Sequence, residues 1–180
     1  MNDLALHILD IIQNSLSAGA RLVIVSIDED IRGDRLTITI EDNGKGMSAD
    51  QVEKLSDPFY TSRTTRRVGL GIPLLKQSAE QSGGYIKVES EPGVGTTVTA
   101  CFQYSNIDRP PLGDVANAFI LTVSSNPEIE FILNYKLNGE EYVFDTVQVK
   151  EILEGIPLND ASIIRTLTDM IRENIKELKQ

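Results

Sequence analysis

One predicted strand and the turn after it constrain this chain most. Residues 36–40 alternate apolar and polar side chains, which predicts a strand with one buried face. The chain then continues Glu-Asp-Asn-Gly-Lys-Gly-Met, so Asp42 stands at the strand end before Gly44 and Gly46. A carboxylate there can accept a hydrogen bond from an exocyclic amine, and the glycines let backbone approach a flat ligand closely. By itself, this pattern also fits an ordinary turn.

The composition excludes several classes of protein. The chain has 180 residues, 41% of them hydrophobic, which suits one domain with an extension or two small domains. A net charge of −10 disfavours broad binding to nucleic acid or to an anionic membrane. Cys101 is the single cysteine and His7 the single histidine, so a disulfide framework and a Cys/His metal cluster are both excluded. No apolar run is long enough to span a membrane, and we expect a cytoplasmic protein.

The first helix is predicted over residues 3–17, and it carries a polar stripe opposite its apolar face. Asp10 and Asn14 stand one turn apart on this stripe, and His7 precedes them on the same face. Two polar side chains at that spacing can address one ligand or ion. A solvated helix face has the same pattern, so the stripe alone does not decide between the two interpretations.

An arginine-rich segment and a glycine motif follow the predicted short helix at 48–55. Residues 61–68 are polar and have no apolar period, which predicts a loop. This loop either faces an anion or is a solvated charge run. The motif Gly69-Leu70-Gly71 then opens a helix predicted at 74–81, and free backbone N–H groups at a helix N-terminus suit phosphate. Further strands are predicted at 21–28, 85–90 and 96–104.

The region after the proline-containing connector at 106–114 has a different pattern. It predicts a small meander, with strands at 118–123, 129–137 and 141–144 and a hairpin turn at Asn138-Gly139. Helices are predicted at 147–153 and 160–178, and the second is strongly amphipathic. We therefore divide the chain into a first domain at 1–106 and a small α+β extension of unknown role at 107–180.

Taken together, the motifs resemble the ATP-binding domain shared by sensor histidine kinases, DNA gyrase, the Hsp90 chaperones and the MutL mismatch-repair proteins, the GHKL superfamily. The set comprises Asp10-x-x-x-Asn14, Asp42-x-Gly44-x-Gly46, Asp57-Pro-Phe59-Tyr-Thr61, Gly69-Leu70-Gly71 and Gly93-Val-Gly95-Thr96-Thr97, and it spans residues 3–104. The downstream motifs are closest to histidine kinases, whereas Gln13-Asn14-Ser15-Leu16 resembles the MutL version. The resemblance implies an α/β Bergerat fold, a two-layer sandwich of a mixed sheet with helices on one face.

The resemblance also implies a role for each matching residue. Asp42 would accept from the adenine amino group, Gly44 and Gly46 would let the backbone pass the base, Met47 would cap it, and Thr97 would support the adenine end through water. Asn14 would coordinate magnesium that bridges the phosphates, and Gly69, Leu70 and Gly71 would offer them backbone N–H groups. Arg67, with Arg63 and Arg66, matches no fixed family position, and its charge and location alone predict that it faces phosphate.

Two departures from the family pattern bear on function. Asp10 stands where members that hydrolyse ATP typically have a glutamate general base, and it is one methylene shorter, so hydrolysis is open. We expect no phosphoacceptor domain before the first helix, and His7 is expected to have a polar helix-face role rather than to accept phosphate. A kinase of this kind would phosphorylate a partner, as the anti-sigma-factor kinases do.

Three functions therefore stay open. The first is Mg-ATP-dependent phosphotransfer to a protein partner, which the histidine-kinase-like lid favours. The second is a slow ATPase that opens and closes a homodimer, and the third is a non-enzymatic module whose lid reports nucleotide state to a partner. A degenerate domain that no longer binds ATP is disfavoured by the intact Asn14, Asp42 and glycine motifs. The chain also resembles freestanding ATP-binding proteins with such a C-terminal region, which are found in bacteria alongside iron-hydrogenase and NADH-oxidising subunits. A redox enzyme is therefore one expected partner.

Overall fold

The computed structural model describes residues 3–55 and 71–180. The helices in these ranges are α1 (Leu4–Ser17), α2 (Ala49–Leu55), α3 (Gly71–Gln81), α4 (Val115–Ser125), α5 (Thr146–Leu153) and α6 (Ala161–Leu178). The strands are β1 (Leu22–Asp30), β2 (Arg35–Asp42), β3 (Tyr85–Glu91), β4 (Gly95–Gln103), β5 (Glu130–Leu137) and β6 (Glu140–Asp145). No helix in the described ranges has the length and apolar character needed to cross a membrane.

All of these strands form one mixed sheet in the order β3-β4-β2-β1-β5-β6. Neighbouring strands are antiparallel except β1 and β5, which are parallel. Val25 in β1 pairs with Ile40 on one side and with Leu133 on the other, and all three side chains are buried. In each strand, the residues that alternate with the buried ones point to the opposite face and are half-exposed or exposed. The sheet therefore buries one face under the helices, which is the two-layer arrangement that the sequence predicts.

The region after residue 106 contributes to the same sheet and the same core. The ring of Phe119 on α4 packs edge-to-face on Phe131 of β5 at 6.1 Å and on Phe144 of β6 at 5.8 Å between centroids. Such pairs add about 1 kcal/mol each to the area they bury. The apolar face of α6 closes this part of the core with Leu167 and Ile171. The predicted boundary at 106 thus does not coincide with an edge of the sheet.

The strand predicted at 118–123 is wrong, because these residues form the middle of α4. The segment is apolar on nearly all sides, and a buried run of this kind cannot be assigned to helix or strand by periodicity. Asp114 begins the helix by accepting a hydrogen bond from the N–H of Asn117 at 3.1 Å. The predicted meander is therefore also wrong: of its three strands, only the second and third exist, as the hairpin of β5 and β6. Its Asn138-Gly139 turn has positive φ angles of 48° and 89°, as this type of hairpin turn requires.

Candidate functional site

Asp42 lies at the end of β2, and the protein holds its carboxylate from two sides. The hydroxyl of Ser15 on α1 donates to Oδ2 at 2.6 Å, and the N–H of Gly44 donates to Oδ1 at 2.9 Å. Ser15 is only 2% exposed, whereas Asp42 is half-buried. The carboxylate is thus oriented from inside while part of it stays accessible, as a pre-organised recognition group requires. The sequence interpretation gave Ser15 no role, although it directly follows Asn14 in the motif.

The turn after β2 is fixed between α1 and the β3–β4 turn. Lys45 donates its N–H to the carbonyl of Ala18 at 2.9 Å and accepts from the N–H of Gly93 at 2.7 Å. A Cβ on Gly44 would lie 2.9 Å from the Cβ and the carbonyl oxygen of Ala18. At Gly46, φ is 69° and a Cβ would lie 2.0 Å from a backbone oxygen of β3. Close packing of the protein's own backbone therefore requires both glycines, independently of any ligand.

The register between β2 and β4 separates two neighbouring threonines. Thr96 pairs with Asp42, whereas Thr97 pairs with the residue before it. Because side chains alternate along a strand, Thr96 shares the face of Asp42, and Thr97 lies on the open face of the sheet. The Thr96 hydroxyl is 2.8 Å from Ser90 Oγ, which also accepts from the N–H of Met47 at 2.8 Å. Thr96, and not Thr97, therefore lies on the same face of the sheet as Asp42.

Asp10 and Asn14 lie one turn apart on α1, and the N-terminus of α3 lies against them. A Cβ on Gly71 would lie 3.4 Å from Asp10 Cβ and 3.8 Å from Asn14 Nδ2. The first residue of α3 therefore faces the two polar side chains that the sequence places on one stripe. Burial raises the pKa of the Asp10 carboxyl, which makes its carboxylate a stronger proton acceptor.

Two buried polar atoms on the same stripe of α1 have no hydrogen-bond partner within the described residues, Asn14 Oδ1 and His7 Nδ1. An unpaired buried acceptor costs free energy unless a ligand or ion uses it. His7 is only 3% exposed, and burial lowers its pKa, which favours the neutral ring. The polar stripe is therefore not exposed to solvent at His7, which lies in the packed part of α1.

An amide oxygen is a hard ligand of the kind that Mg²⁺ prefers, so the unpaired Asn14 Oδ1 fits a magnesium role. No group of three His, Cys, Asp or Glu side chains that could hold a metal occurs in residues 3–55 and 71–180. A magnesium ion at Asn14 would thus need ligands from phosphate and water, as is usual for this metal at nucleotide sites.

Several predicted site residues lie outside the residues that the structure describes. They are Asp57, Phe59 and Thr61, the arginines Arg63, Arg66 and Arg67, and Gly69 and Leu70. Of the Gly69-Leu70-Gly71 motif, Gly71 is described, and it lies beside Asp10 and Asn14.

Comparison with known sequences finds one family over the first part of the chain. The profile of the family described as histidine kinase-, DNA gyrase B-, and HSP90-like ATPase matches residues 2–106. The sensor histidine kinase ZraS of Escherichia coli K12 is 29% identical over 106 residues, which cover 59% of this chain and 23% of that protein. The ZraS protein of Salmonella typhimurium LT2 is 36% identical over 93 residues, covering 51% and 20%. The chain thus spans less than a quarter of the length of these relatives.

Solved structures match a larger part of the chain. The ATPase domain of Aquifex aeolicus MutL, in complex with ADP, superposes with a TM-score of 0.54 at 20% identity, covering 86% of this chain and 70% of that one. The N-terminal domain of a DNA repair protein superposes with a TM-score of 0.54 at 17% identity, covering 79% and 52%. These similarities confirm the α/β two-layer sandwich. The part of this chain that superposes, 86% of it, is longer than residues 2–106. The shared fold therefore includes part of the C-terminal region.

Proposed function

Because this chain belongs to the histidine kinase-, DNA gyrase B- and HSP90-like ATPase family, we propose that it binds Mg-ATP between α1, the end of β2 and the N-terminus of α3. One observation carries the proposal. Ser15 on α1 orients the Asp42 carboxylate at 2.6 Å, and the same helix presents Asp10 and Asn14 to Gly71. The helix α1 thus positions both a hydrogen-bond acceptor for the adenine base and a polar pair for phosphate.

The adenine end of the nucleotide would lie at Asp42. Its free acceptor capacity suits the exocyclic amino group of adenine, because Ser15 and Gly44 occupy only part of the carboxylate. The hydroxyl of Thr96 would act here in place of Thr97, since it shares the face of Asp42. Met47, whose N–H is fixed on Ser90, would close the base from the turn.

The phosphate end would lie between α1 and the start of α3. Asn14 Oδ1 would hold magnesium, which when bound neutralises charge on the phosphates. The N–H groups of Gly69, Leu70 and Gly71 would cradle the phosphates, with Arg67 facing them, as the sequence predicts. This arrangement would leave Asp10 beside the transferred group.

We infer phosphotransfer to a protein partner as the reaction, with Asp10 accepting the proton of the attacking group. The raised pKa of Asp10 supports turnover over binding alone, because a base works best when its pKa lies closer to the working pH. The same carboxylate would serve an attacking water, so slow ATP hydrolysis is the second candidate. A redox enzyme is one partner that the resemblance suggests.

The deciding experiment incubates the purified chain with magnesium and γ-labelled ATP and follows free phosphate and protein-bound label together. We expect ATP consumption, and its loss by a factor of about 10²–10⁴ in Asp10→Asn. Asp28→Asn, an exposed acid on the open face of the sheet, is the matched control and should leave the rate unchanged. Label on an added partner supports phosphotransfer, whereas free phosphate alone supports an ATPase. ATP that is bound yet never consumed argues against both reactions.

Asn14→Ala tests the magnesium role separately. We expect ATP binding to lose most of its dependence on magnesium, because the amide oxygen is removed while Asp42 is kept. Titration calorimetry with and without magnesium measures this dependence. A variant that needs magnesium as much as the parent would show that another group holds the metal.

A further inference from the structure

A cavity of about 320 Å³ lies at the other end of the helix layer from Asp42. It is open to solvent and lined by residues 112–116, Tyr135 of β5 and the C-terminal end of α6. Tyr135 pairs with Ile27 near the end of β1, whereas Asp42 pairs with Val23 near its start. The cavity is therefore separate from the proposed nucleotide site, and its volume lies at the lower end of small-molecule sites, about 300–1,000 Å³.

Three cations line this cavity, Arg172 and Lys176 of α6 and Lys179 directly after it. Their spacing of four and three residues brings them to one face of the helix. Asp114 is the single acid among the lining residues, and it already pairs with Arg172. The Lys176 ammonium has no salt-bridge partner in the described ranges. Arg172 and Lys179 already face acids, so Lys176 is the cation of this rim that would attract an anion.

The inner wall of the cavity disfavours a deeply buried charge. The hydroxyl of Tyr135 donates to Glu29 Oε2 at 2.5 Å, so it is not free to donate to a ligand. Glu29 itself is buried, with Lys179 Nζ at 4.0 Å from Oε2. An anionic group is therefore expected to stay at the rim near Lys176, while an apolar body enters between Ile175 and Val115.

We propose that this cavity binds a small organic carboxylate with an apolar body, its charged end toward Lys176 and Arg172. The cavity size, the unpaired cation at the rim and the apolar side walls together define this class of ligand. A polyphosphate is disfavoured, because Arg172 and Lys179 already face Asp114 and Glu29 and only Lys176 is unpaired.

The segment that lines this cavity also supports the helix of the proposed nucleotide site. The first two N–H groups of α1, of Leu4 and Ala5, donate to the carbonyls of Pro111 and Leu112, each at 2.9 Å. An occupant in contact with Leu112 would therefore bear on the first turn of α1, and Asp10 and Asn14 lie further along that helix. Binding of the carboxylate would change ATP affinity through α1, and this consequence rests on the proposed function.

The test titrates the ¹⁵N-labelled full chain with 3-phenylpropanoate and follows amide shifts by NMR. We expect saturable shifts at residues 112–116 and 175–179, with a Kd of about 1 mM. The neutral alcohol 3-phenylpropanol and the short anion acetate, each lacking one half of the ligand, should bind at least about tenfold more weakly. Absence of saturable shifts, or shifts centred on the turn after β2, would overturn the proposal.

Charge variants of the rim separate this site from non-specific binding. Lys176→Gln should weaken 3-phenylpropanoate about threefold and Lys176→Glu about tenfold, because Lys176 is exposed and partly screened. Arg165→Gln removes a charge of the same sign from an exposed position of α6 outside the cavity and should have no effect. Equal loss in Lys176→Glu and Arg165→Gln would overturn the site. ATP affinity measured at saturating 3-phenylpropanoate tests the coupling: an unchanged value overturns the link through α1 and leaves the site standing.

Discussion

Asp42 and Glu29 are carboxylates at opposite ends of the central strands, and the protein uses its hydrogen-bond donors differently around them. Asp42 receives one hydroxyl at 2.6 Å and one N–H at 2.9 Å, and it is half-buried. Glu29 is 2% exposed and receives Tyr135 at 2.5 Å and Tyr104 at 3.2 Å, one on each oxygen. Both carboxylates accept two hydrogen bonds, but solvent reaches Asp42 and does not reach Glu29. A ligand could therefore reach Asp42, whereas Glu29 is closed to one and serves the fold.

The tyrosines around Glu29 strengthen this contrast. Burial and the negative charge of Glu29 raise the pKa of both Tyr135 and Tyr104, so both phenols stay protonated donors at physiological pH. Glu29 thus joins β1 to β5 and to the residue after β4 by charge-assisted hydrogen bonds, which are stronger than neutral ones.

The largest effect on stability is expected for Glu29→Gln. The amide keeps the shape but turns one acceptor into a donor that faces a tyrosine hydroxyl, and it leaves Lys179 without its counter-charge. We expect the free energy of unfolding to fall by about 3 kcal/mol in urea denaturation. Glu141→Gln, at an exposed position of β6, is the control and should change it by less than about 0.5 kcal/mol. A loss as small as that of the control would remove the contrast between the two carboxylates.

Asp42→Asn should affect ATP binding more than it affects stability. We expect ATP binding to weaken by about 1–3 kcal/mol, because an ionised acceptor becomes an amide at the base. Stability should change by less than about 1 kcal/mol, since the side chain is half-buried. Calorimetric titration and urea denaturation of the same preparation measure both quantities. Unchanged ATP affinity would mean that the adenine site is misplaced.

Ser15→Ala tests the orientation of Asp42 separately from its charge. The variant keeps the carboxylate and removes the hydroxyl that orients it. The loss of the 2.6 Å hydrogen bond should weaken ATP binding by about 1 kcal/mol. Ser17→Ala, on the exposed side of the same helix, should leave the affinity unaltered. If Ser15→Ala binds ATP as tightly as the parent, the hydroxyl supports only packing.

The smallest effect on stability is expected from the titration of Asp10 with pH. Because burial raises its pKa in the folded state, the folded chain holds this proton more tightly than the unfolded chain does. Stability therefore falls as pH rises from the ordinary value of 3.8 through the raised pKa. Asp10→Asn should be more stable than the parent at pH 7 by about 1 kcal/mol at most, a limit set by partial solvent screening. Urea denaturation at pH 7 and near pH 3.5 tests this, and a gain that persists at the lower pH would contradict the explanation.

Local patterns predicted the parts of the site that depend on spacing along the chain. Alternation located β2, helical spacing placed Asp10 and Asn14 on one stripe of α1, and glycines marked the turn after Asp42. These features need only the period of each element. The hairpin of β5 and β6 followed in the same way from Asn138-Gly139.

The features that were missed depend on neighbours distant in sequence. Whether Thr96 or Thr97 shares the face of Asp42 depends on strand register, where a shift of one residue moves a side chain to the other face. Ser15 gains its role only when α1 packs on β2, which local spacing does not encode. Residues 118–123 of α4 were taken for a strand because they are mostly apolar, and the side of the helix that packs on Phe131 and Phe144 is known only from the fold.

The parallel pairing of β1 with β5 has a consequence for any attempt to shorten the protein. A fragment that stops at residue 106, where the family match ends, would lose β5 and turn β1 into an edge strand. The N–H and C=O groups of β1 that now bond to β5 would then be open to pairing with other chains. The buried residues Val23, Val25 and Ile27 would lose their neighbours in β5 at the same time. Such a fragment would contain every matched motif and would still be prone to self-association.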